Sequence, residues 1–366
     1  MASESPRILL AGGGTGGHLF PALALADEIR KLRPGAQILF IGTKEKLEAR
    51  VVPQRGYPFR TIWISGFHRR LTVKNLLFPL KVVVSLVQSL FVLWQFRPDA
   101  VVGTGGYVCG PILWVASLVS VPTFVHESNS YPGVTTRMVA GRATRVYIAF
   151  EATKRWLKRT DNVELAGTPT RDFLGTVSKK AGRKFFGLPA EGKTVLVFGG
   201  SLGATSVNNA TLESLNDIRA KGVQLIWQTG EADFQRIRQA VAGKSIGWVG
   251  AFIDRMDCAF AAADVVVCRA GALTIAELTR VGKAAILIPY PFAAADHQTH
   301  NAASLVDGGA ALMIPDREVS QKLKSVLLDL LRDEPRIEQM SAASLRLGKP
   351  GAGTEIAAKI LELAGK

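Results

Sequence analysis

Short runs of β-branched and aliphatic residues alternate with longer stretches of helical periodicity along the whole chain. In the first half, the pattern predicts a helix at residues 20–32 and strands at 7–10, 37–41, 100–103, 123–127 and 145–148. In the second half, it predicts strands at 194–198, 224–229, 246–249, 265–268, 284–289 and 311–314. Strands that alternate with helices predict parallel sheets with both faces covered by helices.

The two halves of the chain open with the same kind of segment. RILLAGGGTGGH begins at residue 7 and TVLVFGGSLGA at residue 194, and each joins an apolar strand to a glycine-rich loop and a helix. We therefore predict an α/β protein with two Rossmann-like, doubly wound domains that face each other across a cleft. The predicted domains are residues 1–168 and 169–350, and the helical pattern at 351–366 is expected to pack back on the first domain.

The segment 71–96 is very apolar, but a proline and a lysine interrupt it. The uncharged stretch that remains, 82–96, is shorter than the ~20 residues that a membrane-spanning helix needs. Glycines break the uncharged stretch 100–122, and residues 1–7 are too short and polar for a signal peptide. The pattern therefore predicts neither a membrane-spanning segment nor a signal peptide.

The composition is that of an ordinary globular protein. Of the 366 residues, 48% are hydrophobic and 20% are charged, which excludes a disordered or collagen-like chain. The three cysteines, Cys109, Cys258 and Cys268, are scattered and form no CxxC pair. This spacing argues against a cysteine-based zinc site and favours a reducing compartment.

Positive charge is concentrated in the first half of the chain. The formal net charge is +15, and residues 1–168 contribute +11 of it, from 21 basic and 10 acidic residues. No acidic residue occurs from 49 to 98. Such a distribution predicts an anionic partner: a nucleic acid, a phosphorylated ligand or an acidic lipid. Because no helix-turn-helix, RRM or KH pattern is present, we expect no nucleic-acid partner.

Three glycine-rich loops follow predicted strands, GGGTGG at 12–17, GTGGYVCGP at 103–111 and GGSLGA at 199–204. Glycines there let backbone N–H groups approach a phosphate at the N-terminus of the following helix. The Walker pattern is absent, and Glu45 lies too far beyond the second strand to hold the ribose of NAD. One such loop is often only a tight turn. Three of them at strand ends favour a substrate rich in pyrophosphate.

Polar clusters also follow predicted strands, where doubly wound sheets bind ligands. They are HESNSYPGVTTR at 126–137, GTPTR at 167–171, CRAGALTIAEL at 268–278 and IPYPFAAADHQTHNA at 288–302. His297 and His300 suggest a metal, but their carboxylate neighbour Asp296 is adjacent in sequence, so we predict no metal site.

The ordered motifs identify a family. GGGTGGH, GTGGYVCGP, HESN with PG and TTR, GTPTR, GGSLGA, FIDRM, RAGALTIAE and DHQTHNA run from residue 12 to 302. In these motifs the chain resembles the MurG family of peptidoglycan glycosyltransferases, inverting enzymes of GT-B fold. It departs from the family pattern at Ser128, where glutamine is usual, and at Thr168, where asparagine is usual.

The resemblance implies transfer of N-acetylglucosamine from UDP-N-acetylglucosamine to the C4 hydroxyl of the N-acetylmuramyl-pentapeptide of undecaprenyl-pyrophosphate lipid I. The product would be lipid II for peptidoglycan synthesis, and no cofactor is expected. A UDP-sugar epimerase of similar twin-Rossmann architecture is the alternative. A plain membrane-tethering module would explain segment 71–96 but not the polar cluster 269–277.

The resemblance also implies which residues bind the substrates. Ile253 would meet the uracil edge through its backbone, Glu277 the ribose hydroxyls and Gln298 the sugar hydroxyls. Further donor contacts would be Thr15, Gly16, Gly17, Asn129, Arg171, Ser201, Ala272, Leu273, Thr274, Ile275 and Ala276. The acceptor diphosphate would lie on the first two glycine loops, at Gly14, Gly105, Gly106 and Tyr107.

Inversion requires one direct displacement, with a base for the incoming hydroxyl and positive charge for the departing UDP. A helix N-terminus and Arg171 would supply that charge. His18 is the candidate base, because imidazole titrates near neutral pH, and its alternative role is to orient the first loop. Glu127 is the rival base, although a carboxylate ordinarily titrates far from neutral pH. Arg269 is either a phosphate ligand or a cap on its strand end.

An enzyme that acts on lipid I must reach the cytoplasmic surface of the bacterial cell membrane. We predict peripheral attachment to an anionic membrane surface, with apolar and cationic side chains side by side. The predicted contact residues are Leu76, Leu77, Phe78, Lys74 and Lys81. The core-facing half of 82–96 is expected to be a buried helix. The resemblance leaves open contacts with other cell-wall synthesis proteins.

Overall fold

The computed structural model describes residues 5–66, 77–170, 174–200 and 202–364. The chain divides into two compact units, one formed by Met1–Thr170 with Pro350–Lys366 and the other by Arg171–Lys349. Each unit contains one parallel sheet with helices packed against it. The predicted fold class, a twin α/β protein built on doubly wound parallel sheets, is confirmed.

The strands of the first unit are β1 (Arg7–Ala11), β2 (Gln37–Gly42), β3 (Phe59–Thr61), β4 (Ala100–Gly103), β5 (Thr123–Glu127), β6 (Arg145–Ile148) and β7 (Val163–Leu165). They form a seven-stranded parallel sheet in the order β3-β2-β1-β4-β5-β6-β7. β1 pairs on one side with β2, where Arg7 lies opposite Gln37, and on the other with β4, where Ile8 lies opposite Ala100. The strand order therefore reverses at β1, which is where doubly wound sheets bind ligands.

The helices that follow these strands are α1 (Gly16–Leu32), α2 (Leu47–Gln54), α3 (Phe78–Phe96), α4 (Cys109–Leu118) and α5 (Val134–Val139), with a 3-10 helix at Glu151–Trp156. Successive residues of β1 point to opposite faces of the sheet. Leu9 joins the core that contains α3 and α4, whereas Ile8 and Leu10 join the core that contains α1. Because both faces are buried, the strand reads as a continuous apolar run.

The strands of the second unit are β8 (Thr194–Phe198), β9 (Gln224–Gln228), β10 (Gly247–Gly250), β11 (Val265–Cys268), β12 (Ala284–Leu287) and β13 (Ala311–Met313). They form a six-stranded parallel sheet in the order β10-β9-β8-β11-β12-β13. β8 takes the place that β1 has in the first unit, between β9, where Thr194 lies opposite Gln224, and β11.

The helices of this unit are α6 (Lys179–Phe185), α7 (Thr205–Glu213), α8 (Leu215–Ala220), α9 (Glu231–Ala240), α10 (Met256–Ala262), α11 (Ala272–Val281), α12 (His297–Asp307), α13 (Val319–Arg332) and α14 (Glu334–Leu347), with 3-10 helices at Ala294–Asp296 and Asp316–Glu318. Local chemistry sets their ends. Asp333 caps α14 by accepting a hydrogen bond from the N–H of Arg336 at 3.0 Å, and Pro335 stands in the first turn, where no N–H is needed.

The last helix, α15 (Ala352–Ala364), packs on α1 of the first unit although it follows the second unit in the chain. Its Ile356 and Ile360 are buried in the core that contains α1. Thr354 Oγ1 also donates a hydrogen bond to Glu28 Oε2 at 2.7 Å. The end of the chain therefore completes the first core.

Every strand predicted from the sequence is present, with ends that differ by at most two residues. The pattern does not predict β3 and β7, which have three residues each and lie at the two edges of their sheet. Short, partly exposed edge strands carry no continuous apolar run. The predicted first helix starts too late, because α1 already begins at Gly16, inside the glycine loop.

Helix α3 corrects the predicted length of the apolar segment. It begins four residues before residue 82, has 19 residues, and by length and composition is the one helix among the described residues that could cross a membrane. The length argument against a spanning helix is therefore wrong. One side of α3 nevertheless packs inside the first unit, against α4, through Ser85, Ser89, Val92 and Leu93.

Candidate active site

Three loops of the first unit meet at one edge of its sheet. They follow β1, β4 and β5, which are neighbours in the strand order. Because the strands are parallel, their carboxyl ends lie at the same edge, and so do the loops 12–15, 104–108 and 128–133. The sheet thus brings together two glycine loops and the HESN segment, which are far apart in sequence.

The first two glycine loops are joined directly. Thr104 Oγ1 donates a hydrogen bond to the carbonyl oxygen of His18 at 2.7 Å. Cys109 Sγ lies 3.0 Å from the carbonyl oxygen of Ala11 and 2.9 Å from that of Gly105, and its single proton donates to one of them at a time. Burial raises the pKa of the Cys109 thiol to about 12, so the group stays protonated and serves the fold.

His18 lies in the first turn of α1 with its ring against the second glycine loop. Its Nδ1 is 3.3 Å from the carbonyl oxygen of Gly13 and 3.3 Å from Thr15 Oγ1. Because a carbonyl oxygen only accepts hydrogen bonds, we assign the proton of the neutral ring to Nδ1 and the lone pair to Nε2. Gly105 has a φ of +110°, and a Cβ there would lie 2.5 Å from His18 Cδ2. Because Gly105 has no side chain, it leaves room for the imidazole ring of His18.

Glu48, in the first turn of α2, is a buried carboxylate beneath the first glycine loop. It accepts hydrogen bonds from Gly14 N at 2.9 Å, Thr43 N at 3.1 Å and Thr43 Oγ1 at 2.7 Å. The Gly14 N–H, a predicted contact of the acceptor diphosphate, is thus engaged with a carboxylate. Tyr107 lies beside this group, and burial raises the pKa of its phenol, which stays neutral.

Glu127, at the end of β5, is 3% exposed, and its carboxylate organises its own loop. Oε1 accepts from Asn129 N and from Asn129 Nδ2, both at 3.0 Å. Oε2 accepts from Gly133 N at 3.0 Å and from Thr136 Oγ1 at 2.7 Å. With four donors around it, Glu127 is better suited to position Asn129 than to take a proton from a substrate.

The buried ring of His126 connects the HESN loop to Gly167, in the segment that follows β7. Its Nε2 donates to the carbonyl oxygen of Gly167 at 2.9 Å, and its Nδ1 is 3.3 Å from Ser128 Oγ. Burial lowers the pKa of His126 below its ordinary value of 6.5, so the ring is neutral. Ser128 and Thr168, the two departures from the family pattern, therefore lie at or next to the partners of one histidine.

The second unit repeats the arrangement of loops. β8, β11 and β12 are neighbours in its strand order, and the loops 199–204, 269–271 and 288–296 follow them. The third glycine loop and the two remaining polar clusters therefore share one edge of the second sheet.

Arg269 follows β11, is 9% exposed, and ties together the ends of neighbouring elements. Its Nη1 donates to Asp316 Oδ1 at 2.5 Å and to the carbonyl oxygens of Ile288 at 3.2 Å and Pro289 at 3.1 Å. Its Nη2 donates to Ser206 Oγ of α7 at 3.0 Å. Of the two roles open to Arg269, these contacts support the cap on a strand end.

Helix α11 carries six consecutive predicted donor contacts in its first two turns. The buried ones are Ala272, Ile275 and Glu277, and the partly exposed ones are Leu273, Thr274 and Ala276. The side chain of Ile275 belongs to the core, so a ligand could meet that residue only through its backbone. Burial raises the pKa of Cys268 at the end of β11, and the negative charge of Glu277 adds to the effect.

Gln298, in the first turn of α12, accepts a hydrogen bond from Tyr290 N through Oε1 at 3.0 Å. Its Nε2 is the group of this amide that would donate to a sugar hydroxyl. Ala295 and Asp296, just before it, have φ values of +52° and +53°. Such values are costly for residues other than glycine, which makes the turn before Gln298 a strained one.

His297 and His300 stand at the start of the same helix, and Nδ1 of His297 is 2.7 Å from the carbonyl oxygen of Ala294. In the ranges that the structure describes, no group of three or more His, Cys, Asp or Glu side chains could hold a metal ion.

Ile253, after β10, is buried, and its N–H donates to Oε1 of Gln228 at 2.9 Å. Nε2 of Gln228 donates in turn to the carbonyl oxygen of Gly200 at 2.8 Å. The predicted uracil contact and the third glycine loop are therefore connected through one buried amide. No motif marks Gln228, because its partners are 25 and 28 residues away in the chain.

Four predicted contact residues, Arg171, Ser201, Lys74 and Leu76, lie outside the described residues. The other predicted membrane contacts stand at the start of α3, where Leu77 is exposed and Phe78 is partly exposed. Lys81 Nζ donates to Ser65 Oγ at 3.0 Å, so this cation already has a protein partner.

The exposed side of α3 carries large apolar side chains along most of its length, which are here named the α3 outer face. It consists of Leu80, Val83, Val87, Leu90, Phe91 and Trp94, each at least 50% exposed. On the opposite side, Ser85 and Ser89 are 0% exposed, and their hydroxyls donate to carbonyl oxygens of the helix itself. The buried side thus combines two small polar residues with Val92 and Leu93, while most of the large apolar side chains are exposed, which is unusual for a surface helix.

Two family models match the chain. The glycosyltransferase family 28 N-terminal domain matches residues 8–148, and the glycosyltransferase family 28 C-terminal domain matches residues 194–356. Together they cover most of the sequence.

Curated relatives match over the full length. A Chlorobaculum parvum protein is 43% identical over 98% of this chain and 99% of its own. A Salinibacter ruber protein is 42% identical over 100% of this chain and 99% of its own. Both are named UDP-N-acetylglucosamine--N-acetylmuramyl-(pentapeptide) pyrophosphoryl-undecaprenol N-acetylglucosamine transferase.

Solved structures agree. The crystal structure of Acinetobacter baumannii MurG is similar with a TM-score of 0.79 and 26% identity, over 98% of this chain and 99% of that one. The glycotransferase of kitacinnamycin is similar with a TM-score of 0.71, over 99% of this chain and 100% of that one. At 17% identity, the second likeness shows the fold alone.

Proposed function

The chain belongs to glycosyltransferase family 28, and we propose that it transfers N-acetylglucosamine from UDP-N-acetylglucosamine to the C4 hydroxyl of the N-acetylmuramyl-pentapeptide of lipid I, forming lipid II. The observation that carries this proposal is the 43% identity, over nearly the whole of both chains, to a relative named for this transfer. The glycine loops at the carboxyl edges of two separate parallel sheets supply what two diphosphate-bearing substrates require.

The donor is assigned to the second unit. Helices α7 and α11 both begin at the carboxyl edge of its sheet, so their positive ends are available to the diphosphate of UDP. The leaving UDP gains negative charge as the glycosidic bond breaks, and such groups stabilise it without reorganisation. Arg171 is the side-chain cation proposed for the same role.

Ile253, Glu277 and Gln298 are the proposed contacts of uracil, ribose and sugar. Leu273 and Glu277 are four residues apart on α11 and therefore share one side of the helix. Since the N–H of Ile253 is engaged with Gln228, the carbonyl oxygen of Ile253 is the backbone group proposed for the uracil edge. It would accept from the uracil imide N–H.

His18 is the proposed base in the first unit. Its Nε2 takes the proton of the acceptor C4 hydroxyl as that oxygen attacks the anomeric carbon, and the bond to UDP breaks with inversion. The carbonyl oxygen of Gly13, 3.3 Å from Nδ1, stabilises the imidazolium that forms. Glu127 acts by holding Asn129 in place through two hydrogen bonds.

The acceptor diphosphate is assigned to the joined glycine loops, with contacts from Gly105, Gly106 and Tyr107. Because the N–H of Gly14 donates to Glu48, Gly14 contributes by having no side chain, which leaves space for the diphosphate. Glu48 therefore fixes the shape of the first loop at the point where the second loop meets it.

Membrane attachment is assigned to the α3 outer face. It is an apolar surface on a unit whose residues 49–98 include no acidic side chain, a combination suited to an anionic bilayer surface. The attachment is peripheral, because the opposite side of α3 is packed inside the first unit.

The test is a transfer assay with purified protein, UDP-N-acetylglucosamine and a short-chain lipid I analogue. We expect a disaccharide product and release of UDP in equal amount. An isomerised UDP-sugar formed without acceptor would instead support the epimerase, an alternative that the relatives do not favour. Absence of any product with the acceptor present would overturn the proposal.

A further inference from the structure

Gln228 ends β9 at the carboxyl edge of the second sheet and is 3% exposed. Both polar atoms of its amide make hydrogen bonds. Nε2 donates to the carbonyl oxygen of Gly200 at 2.8 Å, and Oε1 accepts from the N–H of Ile253 at 2.9 Å. These partners fix the orientation of the amide, because a carbonyl oxygen needs a donor and an N–H needs an acceptor. Few other side chains could satisfy both groups at once.

The two residues after Gln228 strengthen the same connection. Thr229 N donates to the carbonyl oxygen of Gly250 at 3.0 Å, and Gly230 N donates to that of Ala251 at 3.1 Å. On the other side, Gly203 has a φ of +81°, and a Cβ there would lie 2.2 Å from the carbonyl oxygen of Thr229. The third glycine loop therefore rests directly on the turn after β9, and that turn is bonded to the loop that leads to Ile253.

We propose that Gln228 is a positioning residue that sets the spacing between loop 250–254, the proposed uracil site, and the third glycine loop at Gly200 and Gly203, the proposed diphosphate site. This inference rests on the proposed function, since that function assigns the donor to these two loops. A ligand that spans both loops, such as UDP, benefits from a fixed spacing, whereas a ligand that touches one loop gains little from it. Gln228 thus couples recognition of the base to recognition of the diphosphate.

The first experiment replaces the amide with an apolar side chain of similar length, Gln228→Met. We expect UDP to bind about tenfold or more weakly, because a buried carbonyl and a buried N–H lose their partners and the loops lose their spacing. Uridine alone should lose less affinity than UDP. In the transfer assay, the KM for UDP-N-acetylglucosamine should rise with little change in kcat.

The second experiment, Gln228→Glu, gives a readout that a general loss of stability would not produce. An ionised carboxylate cannot donate to Gly200, but a protonated one can donate to Gly200 and accept from Ile253. Relative to wild type at each pH, the UDP affinity of this variant should recover as the pH falls from 8 to 6. The Met variant should show no such recovery.

Ser214→Ala is the matched control, because it removes one buried hydrogen bond, from Ser214 Oγ to the carbonyl oxygen of Ala210 at 2.7 Å, in the same unit and away from both loops. It should bind UDP as wild type does. Wild-type UDP affinity in Gln228→Met, or no pH-dependent recovery in Gln228→Glu, would overturn the inference. Failure of the wild type to transfer sugar to the lipid I analogue would instead overturn the proposed function.

Discussion

At the scale of single residues, the proposed chemistry depends on which nitrogen of His18 carries a proton. The carbonyl oxygen of Gly13 lies 3.3 Å from Nδ1, which leaves the basic lone pair on Nε2. The ring keeps this orientation because it rests against Gly105, where any side chain would overlap it. The contact with Gly13 therefore sets the tautomer of the His18 ring, and the lack of a side chain at Gly105 allows the ring to keep its orientation.

Replacing His18 with alanine should lower kcat by about 10²- to 10⁴-fold, the usual effect of losing a general base, and change donor KM much less. The acidic limb of the pH–rate profile should vanish with the imidazole. Gly105→Ala should lower kcat too, because its Cβ would displace the ring. Equal losses in donor binding and turnover, with the acidic limb retained, would assign His18 an orienting role.

His126 makes the stability of the protein depend on pH. Burial lowers the pKa of the folded-state ring below 6.5, so between these two values the unfolded chain binds a proton that the folded chain does not. Stability therefore rises with pH across this window and falls as the pH drops below about 6.5, by at most about 1.4 kcal/mol per pH unit from this group.

The variant His126→Gln keeps a donor for Gly167 but does not titrate. Urea unfolding at pH 7.5 and pH 5.5 should show that wild type loses more stability on acidification than the variant does. Identical losses in both proteins would show that His126 is not the group responsible.

Two residues that join distant parts of the chain, Glu48 and Gln228, lie outside the motifs that the sequence reveals. The motifs predict the loops at the sheet edges, because each loop carries its glycines next to an apolar run. Glu48 and Gln228 lack such a signal, since each acts on backbone groups more than 20 residues away. The sequence leaves two roles open for Arg269 for the same reason, because its partner Asp316 is 47 residues away.

At the scale of elements, α3 shows how an apolar pattern can mislead about position. The sequence predicts a membrane contact at 76–81 and burial of the core-facing half of the helix beyond it. The structure buries Ser85, Ser89, Val92 and Leu93 on that half, and it leaves large apolar side chains exposed on the other side as far as Trp94, well beyond the predicted contact. Ser85 and Ser89 are small enough to let α3 lie close to α4, beside the buried Val92 and Leu93.

Changing Val83, Val87 and Leu90 to serine should therefore abolish most binding to anionic vesicles, by about tenfold or more in partition constant. Serine and valine have similar helix propensities, and the loss at Leu90 is below about 0.7 kcal/mol, so the helix itself should persist. Vesicle co-sedimentation measures the effect, and UDP binding should survive because the proposed donor residues Ile253, Glu277 and Gln298 belong to the other unit.

The matched control changes Val306 and Met313, which are exposed apolar residues of the second unit, to serine. This pair should leave co-sedimentation unchanged. Lys81→Gln should have a smaller effect than the triple variant, because Lys81 already donates to Ser65. Wild-type co-sedimentation by the triple-serine variant would contradict the placement on the α3 outer face.

At the scale of the whole molecule, the last helix in the chain belongs to the core of the first unit. Helix α15 follows the second unit in sequence but buries Ile356 and Ile360 in the first. The stability of the N-terminal sheet therefore depends on the last residues of the chain. A substitution that destabilises α15 should therefore destabilise the sheet of the first unit, β1 to β7, more than the sheet of the second unit.

Ile360→Ala and Leu330→Ala test this with matched substitutions. Both side chains are aliphatic and 0% exposed, one in α15 and one in α13, and each truncation should cost about 2–5 kcal/mol. Hydrogen–deuterium exchange should rise in β1 to β7 for Ile360→Ala and in β8 to β13 for Leu330→Ala, because amides in a core exchange through opening of their own cooperative unit. Faster exchange of the second sheet in Ile360→Ala, with the first unchanged, would show that α15 does not stabilise the first core.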